Sequence, residues 1–248
     1  MKRKLLPFSV LLGAILGYFG LPRLKSVRQP SREGLEGEDL AEAYDKMTKL
    51  PQFQALRRMA VRELEQYAPS GTLADVGSGP GYLLADLARA YPDLKLIGID
   101  SSTDMVAVAQ RNAQYEGLAD RLEFRAGDAH RLPLDDASVD FVVSSLSLHH
   151  WTAPGAVLRE IHRVLKPGGQ LLIFDTRRDP RRIFYWATLF ARQFIVPGAI
   201  REIDEPTGSI LASYTPVEVS ALLEESPFRL RRVQSGPGWF YVWARKDF

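Results

Sequence analysis

The chain has 248 residues, 46% hydrophobic and 25% charged, a globular composition that excludes wholesale disorder and fibrous repeats. Its 32 Lys and Arg against 30 Asp and Glu leave a net charge of +2, too small a basic field for a dedicated nucleic-acid binder. There is no cysteine, which excludes disulfide scaffolds, thiolate metal sites and Cys nucleophiles but says nothing of compartment.

The chain opens on Lys2, Arg3 and Lys4, followed by an uncharged apolar run from Leu5 to Leu21. A secretory signal has this basic start and apolar middle, but the small residues here do not form an A-x-A cleavage site. The run also sits at the short limit of about 17 residues for a membrane span. A monotopic anchor fits too, although the apolar character is nearly all round. Residues 1–21 are read as a retained membrane anchor, with a signal peptide and then a buried core segment as the alternatives. Basic residues on both flanks leave its orientation open. Residues 22–39 are polar and read as a linker, and the domain runs from 40 to 248.

Helical patterns cover Leu40 to Leu50 and Phe53 to Tyr67, stopped by Pro69-Ser70-Gly71. Strand and helix then alternate. Strands are expected at 72–76, 94–99, 122–126, 139–144 and 170–174, and helices at 82–91, 104–115 and 154–165. Continuous apolar strands between helices predict an α/β fold with a parallel sheet covered on both faces. A helix over 217–225 and strands over 229–234 and 239–245 follow. The short link Ser235-Gly236-Pro237-Gly238 makes the last pair an antiparallel hairpin. Residues 176–215 are an extra stretch before this end.

The first strand runs into Asp75-Val76-Gly77-Ser78-Gly79-Pro80-Gly81, which opens a helix. Glycines permit a sharp turn and close ligand approach, and the helix N-terminus offers N–H groups to an anion. The spacing is not the dinucleotide fingerprint, because Tyr82 holds its sixth place, and the Gly-Lys-Ser/Thr of a phosphate loop is absent. Asp100 ends the next strand, where a carboxylate can accept both ribose hydroxyls. Asp128-Ala129 follows the third strand at the level of an adenine edge. Asp75 is placed to organise the loop or hold an ammonium.

These residues, with Leu132-Pro133, the run from Phe141 to His150 and Leu165-Lys-Pro-Gly-Gly169, resemble the class I S-adenosylmethionine-dependent methyltransferases, in particular the type 11 group that includes quinone C-methyltransferases. The resemblance covers roughly Leu40 to the C-terminus. It implies a Rossmann-like doubly wound sheet of seven strands with the last antiparallel, and S-adenosylmethionine as cofactor. It further implies that Gly77, Ser78, Gly79 and Gly81 line the methionine and ribose portion. Asp100 would bind the ribose hydroxyls with Ser101 beside it. Met105 would sit near the adenine, Asp128 would bond its amino group and Ala129 would pack on the ring. Ser144 or Ser145 would lie beside the sulfonium, and Tyr44 would close over the cofactor.

Methyl transfer from a sulfonium needs alignment and a dry site, with a general base only where the acceptor loses a proton. His149 and His150, at the mouth of the expected site, are the candidate catalytic bases. The alternative is that one caps the following helix and the other packs. His130 and His162 lie at no ligand spacing, so no metal is expected, and no nucleophile elbow frames a serine. The extra stretch begins Arg177-Arg178-Asp179-Pro180-Arg181-Arg182 and continues as an aromatic–aliphatic helix to Val196. That pattern suits a membrane interface or an apolar acceptor pocket, with the core helix of a compact lid as the alternative.

The leading expectation is methyl transfer to a small hydrophobic acceptor (quinone, phenol, lipid or lipophilic thiol) at a membrane. The catalytic domain would face the cytoplasm, where the resemblance implies the cofactor is held. A soluble-metabolite methyltransferase and a non-catalytic cofactor-binding assembly protein are the alternatives. No nucleic-acid partner is expected, and the sequence carries no signal for an oligomeric state.

Overall fold

A computed structural model describes residues 22–31 and 37–248. The expected anchor at 1–21 lies outside the described residues. Among the described residues no helix is long and apolar enough to cross a membrane.

Two helices, α1 (Glu38–Thr48) and α2 (Pro51–Glu65), lead into β1 (Thr72–Val76), α3 (Tyr82–Ala90), β2 (Lys95–Asp100), α4 (Thr103–Tyr115) and β3 (Leu122–Ala126). Then come β4 (Val139–Ser145), a short 3-10 turn over Leu148–His150, α5 (Pro154–Val164) and β5 (Leu165–Thr176). The extra stretch holds α6 (Arg182–Phe194), α7 (Gly198–Glu202) and α8 (Thr207–Ala212), and the chain ends with α9 (Pro216–Glu224), β6 (Leu230–Ser235) and β7 (Trp239–Arg245).

The seven strands form one sheet in the order β3-β2-β1-β4-β5-β7-β6, with β7 antiparallel to both neighbours, as expected for a Rossmann-like fold. The central strands are apolar on both faces because both faces are covered. On one side Val157, Leu158 and Ile161 of α5 and Leu223 of α9 pack on Val142, Leu171 and Val242. On the other, Leu84 and Leu87 of α3 and Ala109 of α4 pack on Leu73, Phe141 and Leu172. Chain order reverses between β1 and β4, so a cleft opens at their carboxyl ends.

Two sequence expectations change. Residues 166–169, expected to lie between the helix ending at 165 and the strand starting at 170, lie inside β5. Its ladder with β4 starts at Leu165, shifts register and resumes at Gln170, so the Pro-Gly-Gly segment is a bulge rather than a boundary. Residues 22–31, read as a linker, run against the domain. Leu24 N–H donates to the Pro180 carbonyl at 2.9 Å and Gln29 N–H to the Leu211 carbonyl at 3.0 Å. Arg28 donates to the Ala212 carbonyl at 2.7 Å, and its guanidinium lies 4.1 Å from the centroid of the Tyr214 ring. The arginine and backbone groups of this segment match the carbonyls of the extra stretch, which polarity alone does not reveal.

Candidate active site

Three cavities meet at the cleft, and Tyr44 and Leu146 line all of them. The backbone of Leu146 is held at φ +56°, a conformation that side chains rarely adopt, with its N–H donating to the Phe174 carbonyl at 2.8 Å. Strain of this kind persists where the surroundings fix it, and here it sets a side chain at the junction of the three spaces.

The first space, about 370 Å³, runs past Gly77, Gly79, Asp100, Ser101, Asp128, Ala129 and His150. Its floor is the glycine loop. Gly77 has φ +77°, and a Cβ there would fall 2.2 Å from Ser147 Oγ, so only glycine fits. Gly77 and Ser78 N–H both donate to the Ile99 carbonyl, pinning the loop to β2. Asp100 Oδ2 accepts from Gly79 N–H at 2.8 Å and Oδ1 from Ser102 N–H at 3.0 Å. Each oxygen keeps a lone pair for a diol in the cavity. Burial pushes the Asp100 carboxyl up, and the N–H donors oppose this. Asp128 Oδ1 accepts from His130 N–H at 2.9 Å and sits 2.7 Å from His130 Nδ1, bonds that hold its carboxyl below the usual range.

The second space, about 70 Å³, reaches Asp75, Ser78, Arg57 and Tyr82. Asp75 is 1% exposed, and its Oδ1 has no partner; nor has Ser78 Oγ. Burial, and then the nearby Asp100 carboxylate, push the Asp75 carboxyl up to about 8. Two orphaned polar atoms at the end of a cleft fit an ammonium that bonds to both. A carboxylate with lone pairs for a diol, a second carboxylate further along the same space and a buried pair of orphaned polar atoms in one cleft suit a nucleoside carrying an amino-acid chain.

The third space, about 280 Å³, is largely apolar, lined by Met47, Phe53, Phe184, Val196 and Ile210 among others. His149 opens onto it. Its ring is 2% exposed, with Nδ1 2.8 and 3.0 Å from the two Asp175 oxygens. The Asp175 carboxylate also accepts His149 N–H at 3.1 Å and Thr176 N–H at 2.7 Å. In the neutral imidazole, a carboxylate that only accepts places the ring proton on Nδ1 and leaves Nε2 with a lone pair. Nε2 has no partner. His150 turns the other way, to the first space, with Nδ1 2.8 Å from Ser31 Oγ. Neither histidine side chain caps α5, whose N-cap is Ala153 with no side-chain bond.

Tyr44, Asp75, Gly77, Ser78, Gly79, Asp100, Ser101, Asp128, Ala129 and Ser145 therefore line the joined spaces. Three expected residues do not. Gly81 begins α3 at φ +82°, where a Cβ would lie 2.7 Å from the Phe124 ring, so it serves packing. Met105 is fully buried with Ala41 and Val108 between α1 and α4. Ser144 is fully buried, and its hydroxyl donates to the Val76 carbonyl at 2.8 Å; neighbours on a strand face opposite sides, so Ser145 takes the cleft. Asp175 escaped the sequence reading. The available signal was an acidic residue at a strand's carboxyl end, as at Asp100. Among the described residues no three His, Asp or Glu side chains converge as a metal site.

A family model described as a methyltransferase domain matches residues 74–173. The chain is 41% identical over 118 residues to an uncharacterized 37.1 kDa protein in a transposon of Streptomyces fradiae, a match over 47% of this chain and 33% of that protein. It is 29% identical over 206 residues to demethylmenaquinone methyltransferase of Thermus thermophilus, covering 78% of this chain and 91% of the relative. Its fold superposes on a SAM-dependent methyltransferase from Aquifex aeolicus with a TM-score of 0.64 and 24% identity, covering 84% and 98% of the two chains.

Proposed function

Because the chain is a class I S-adenosylmethionine-dependent methyltransferase, we propose that it methylates a small apolar acceptor that gives up a proton to His149. The observation that carries this reading is the buried His149–Asp175 pair: the histidine lines an apolar cavity that shares Tyr44 and Leu146 with the cofactor cleft, and its Nε2 has no partner. Asp100 would hold the ribose hydroxyls, Asp128 and Ala129 the adenine, and Asp75 with Ser78 the methionine ammonium. When bound, S-adenosylmethionine supplies an electrophilic methyl group on a sulfonium. Asp175 fixes the Nδ1–H tautomer of His149, so Nε2 meets the acceptor as a base. Tyr44 and Leu146, at the junction, align the two ligands and exclude water.

A phenolic hydroxyl suits this arrangement, whether its oxygen or an activated ring carbon is methylated. The relative from Thermus thermophilus, named for demethylmenaquinone, supports a quinone-type acceptor. The apolar run at 1–21 supports tethering to a membrane, with the domain on the cytoplasmic side where this cofactor is held. The test compares a lipophilic phenol with its O-methylated analogue, using methyl-labelled cofactor. The reading expects label in the free phenol, and a loss of about 100-fold in rate for His149→Ala at unchanged cofactor affinity. Equal transfer by the variant would contradict the base, and transfer only to water-soluble metabolites would contradict the acceptor.

A further inference from the structure

α6 has two faces with different surroundings. Phe184, Ala187, Thr188 and Ala191 line the apolar cavity beside His149. On its other side Ile183, Trp186, Phe190 and Phe194 recur at helical spacing, and the last three are 54, 61 and 71% exposed. No residue of α6 is fully buried. Of the 11 exposed large hydrophobic residues described, six lie within 183–195, so they form one patch and are not scattered.

The patch has a charged margin and a direction. The Arg182 N–H donates to the Pro22 carbonyl at 3.3 Å, and Arg23 bridges Arg181. The chain preceding Pro22, which contains the apolar run Leu5 to Leu21, therefore joins the domain at the N-terminal end of α6. Arg23, Lys25, Arg181 and Arg182 gather at that end, with Lys25 and Arg182 exposed. An aromatic stripe edged by cations complements the acyl boundary and anionic headgroups of a bilayer.

We propose that the exposed face of α6 docks on an anionic lipid bilayer, so that the cavity behind the same helix opens beside the lipid phase. What enters the cavity rests on the proposed function; the docking itself does not.

The chain's lack of cysteine allows a direct test on the full-length protein. A nitroxide is attached at Phe190→Cys or Phe194→Cys, with Tyr115→Cys, 93% exposed at the end of α4, as the reference. Phosphatidylglycerol/phosphatidylcholine vesicles are compared with phosphatidylcholine alone. The proposal expects the labels at 190 and 194 to gain collisions with oxygen and lose them with a water-soluble nickel chelate, more strongly with phosphatidylglycerol, while the label at 115 stays aqueous. Labels at 190 and 194 that stay aqueous on vesicle-bound protein would overturn it. So would labels already shielded before vesicles are added: concentration-dependent shielding would mean a second copy covers the face, and concentration-independent shielding the chain's own residues.

The variant Trp186→Ser/Phe190→Ser/Phe194→Ser supplies a second readout. Transfer to a short-chain phenol in water should be retained, while transfer to a long-chain alkylphenol in vesicles should fall about tenfold as local concentration is lost. Equal losses on both would overturn the proposal. Failure of the unmodified protein to methylate either phenol would contradict the acceptor reading alone, because nitroxide depth is measured without turnover.

Discussion

Asp75 is the residue at which fold and function pull apart. Its carboxyl titrates at about 8 in the folded chain against 3.8 for an ordinary aspartate. Between those values the folded state keeps a proton that the unfolded state has released, so this group's contribution to stability falls as pH rises from about 4 to about 8. Asp75→Asn should therefore stabilise the cofactor-free protein at pH 7 by on the order of 2–4 kcal/mol, with no gain near pH 4. Urea unfolding at both pH values checks this; a gain of the same size at both would contradict it. The same substitution should weaken cofactor binding by about tenfold or more, since a carboxylate bond to an ammonium is lost. At the other end of the site, Asp175→Asn should lower kcat by about 10- to 100-fold while the cofactor Kd is kept, because the imidazole loses its fixed tautomer and not its ligand. A parallel loss of cofactor affinity would reduce Asp175 to a structural role.

At the scale of elements, glycines decide where helices can approach the sheet. Gly81 lets α3 start against Phe124 of β3, and Gly81→Ala combines φ +82° with a contact of 2.7 Å. Its expected cost is about 2–3 kcal/mol, read as a lower urea midpoint at unchanged slope; an unchanged midpoint would show that the ring moves aside freely. Strands β1, β3 and β7 were legible to the residue because apolar runs and turn residues agree there. The start of β5 was not, since Pro167-Gly168-Gly169 has the local chemistry of a turn and only the ladder to β4 keeps it in the sheet. The loop residues and Asp100 could be read from strand ends and spacing. Ser144 against Ser145 could not, because the choice depends on which side of β4 faces the cleft. Asp175 is 26 residues from His149 and becomes its neighbour only through the parallel pairing of β4 with β5.

For the molecule as a whole, residues 22–31 belong with the extra stretch and the His149 side of the cleft. Arg28 spans from the Ala212 carbonyl to Tyr214 and to the His149 carbonyl, and Ser31 holds His150. Deleting residues 1–21 should leave a folded protein that binds cofactor. Deleting residues 1–31 should lower stability by about 1–3 kcal/mol through the lost arginine contacts and loosen the apolar cavity beside His149. Thermal melts of the two truncations, with cofactor titrated into each, separate these outcomes; equal melting temperatures would mean the segment lies on the domain without supporting it. The central claim, proton loss to His149 during methylation of an apolar acceptor, is tested most directly by incubating the protein with methyl-labelled S-adenosylmethionine and total cell extract, then partitioning the products between organic solvent and water. Label should enter the organic phase with the unmodified protein and fall about 100-fold with His149→Ala at equal cofactor binding. Label confined to the aqueous phase, or undiminished by the substitution, would contradict the claim.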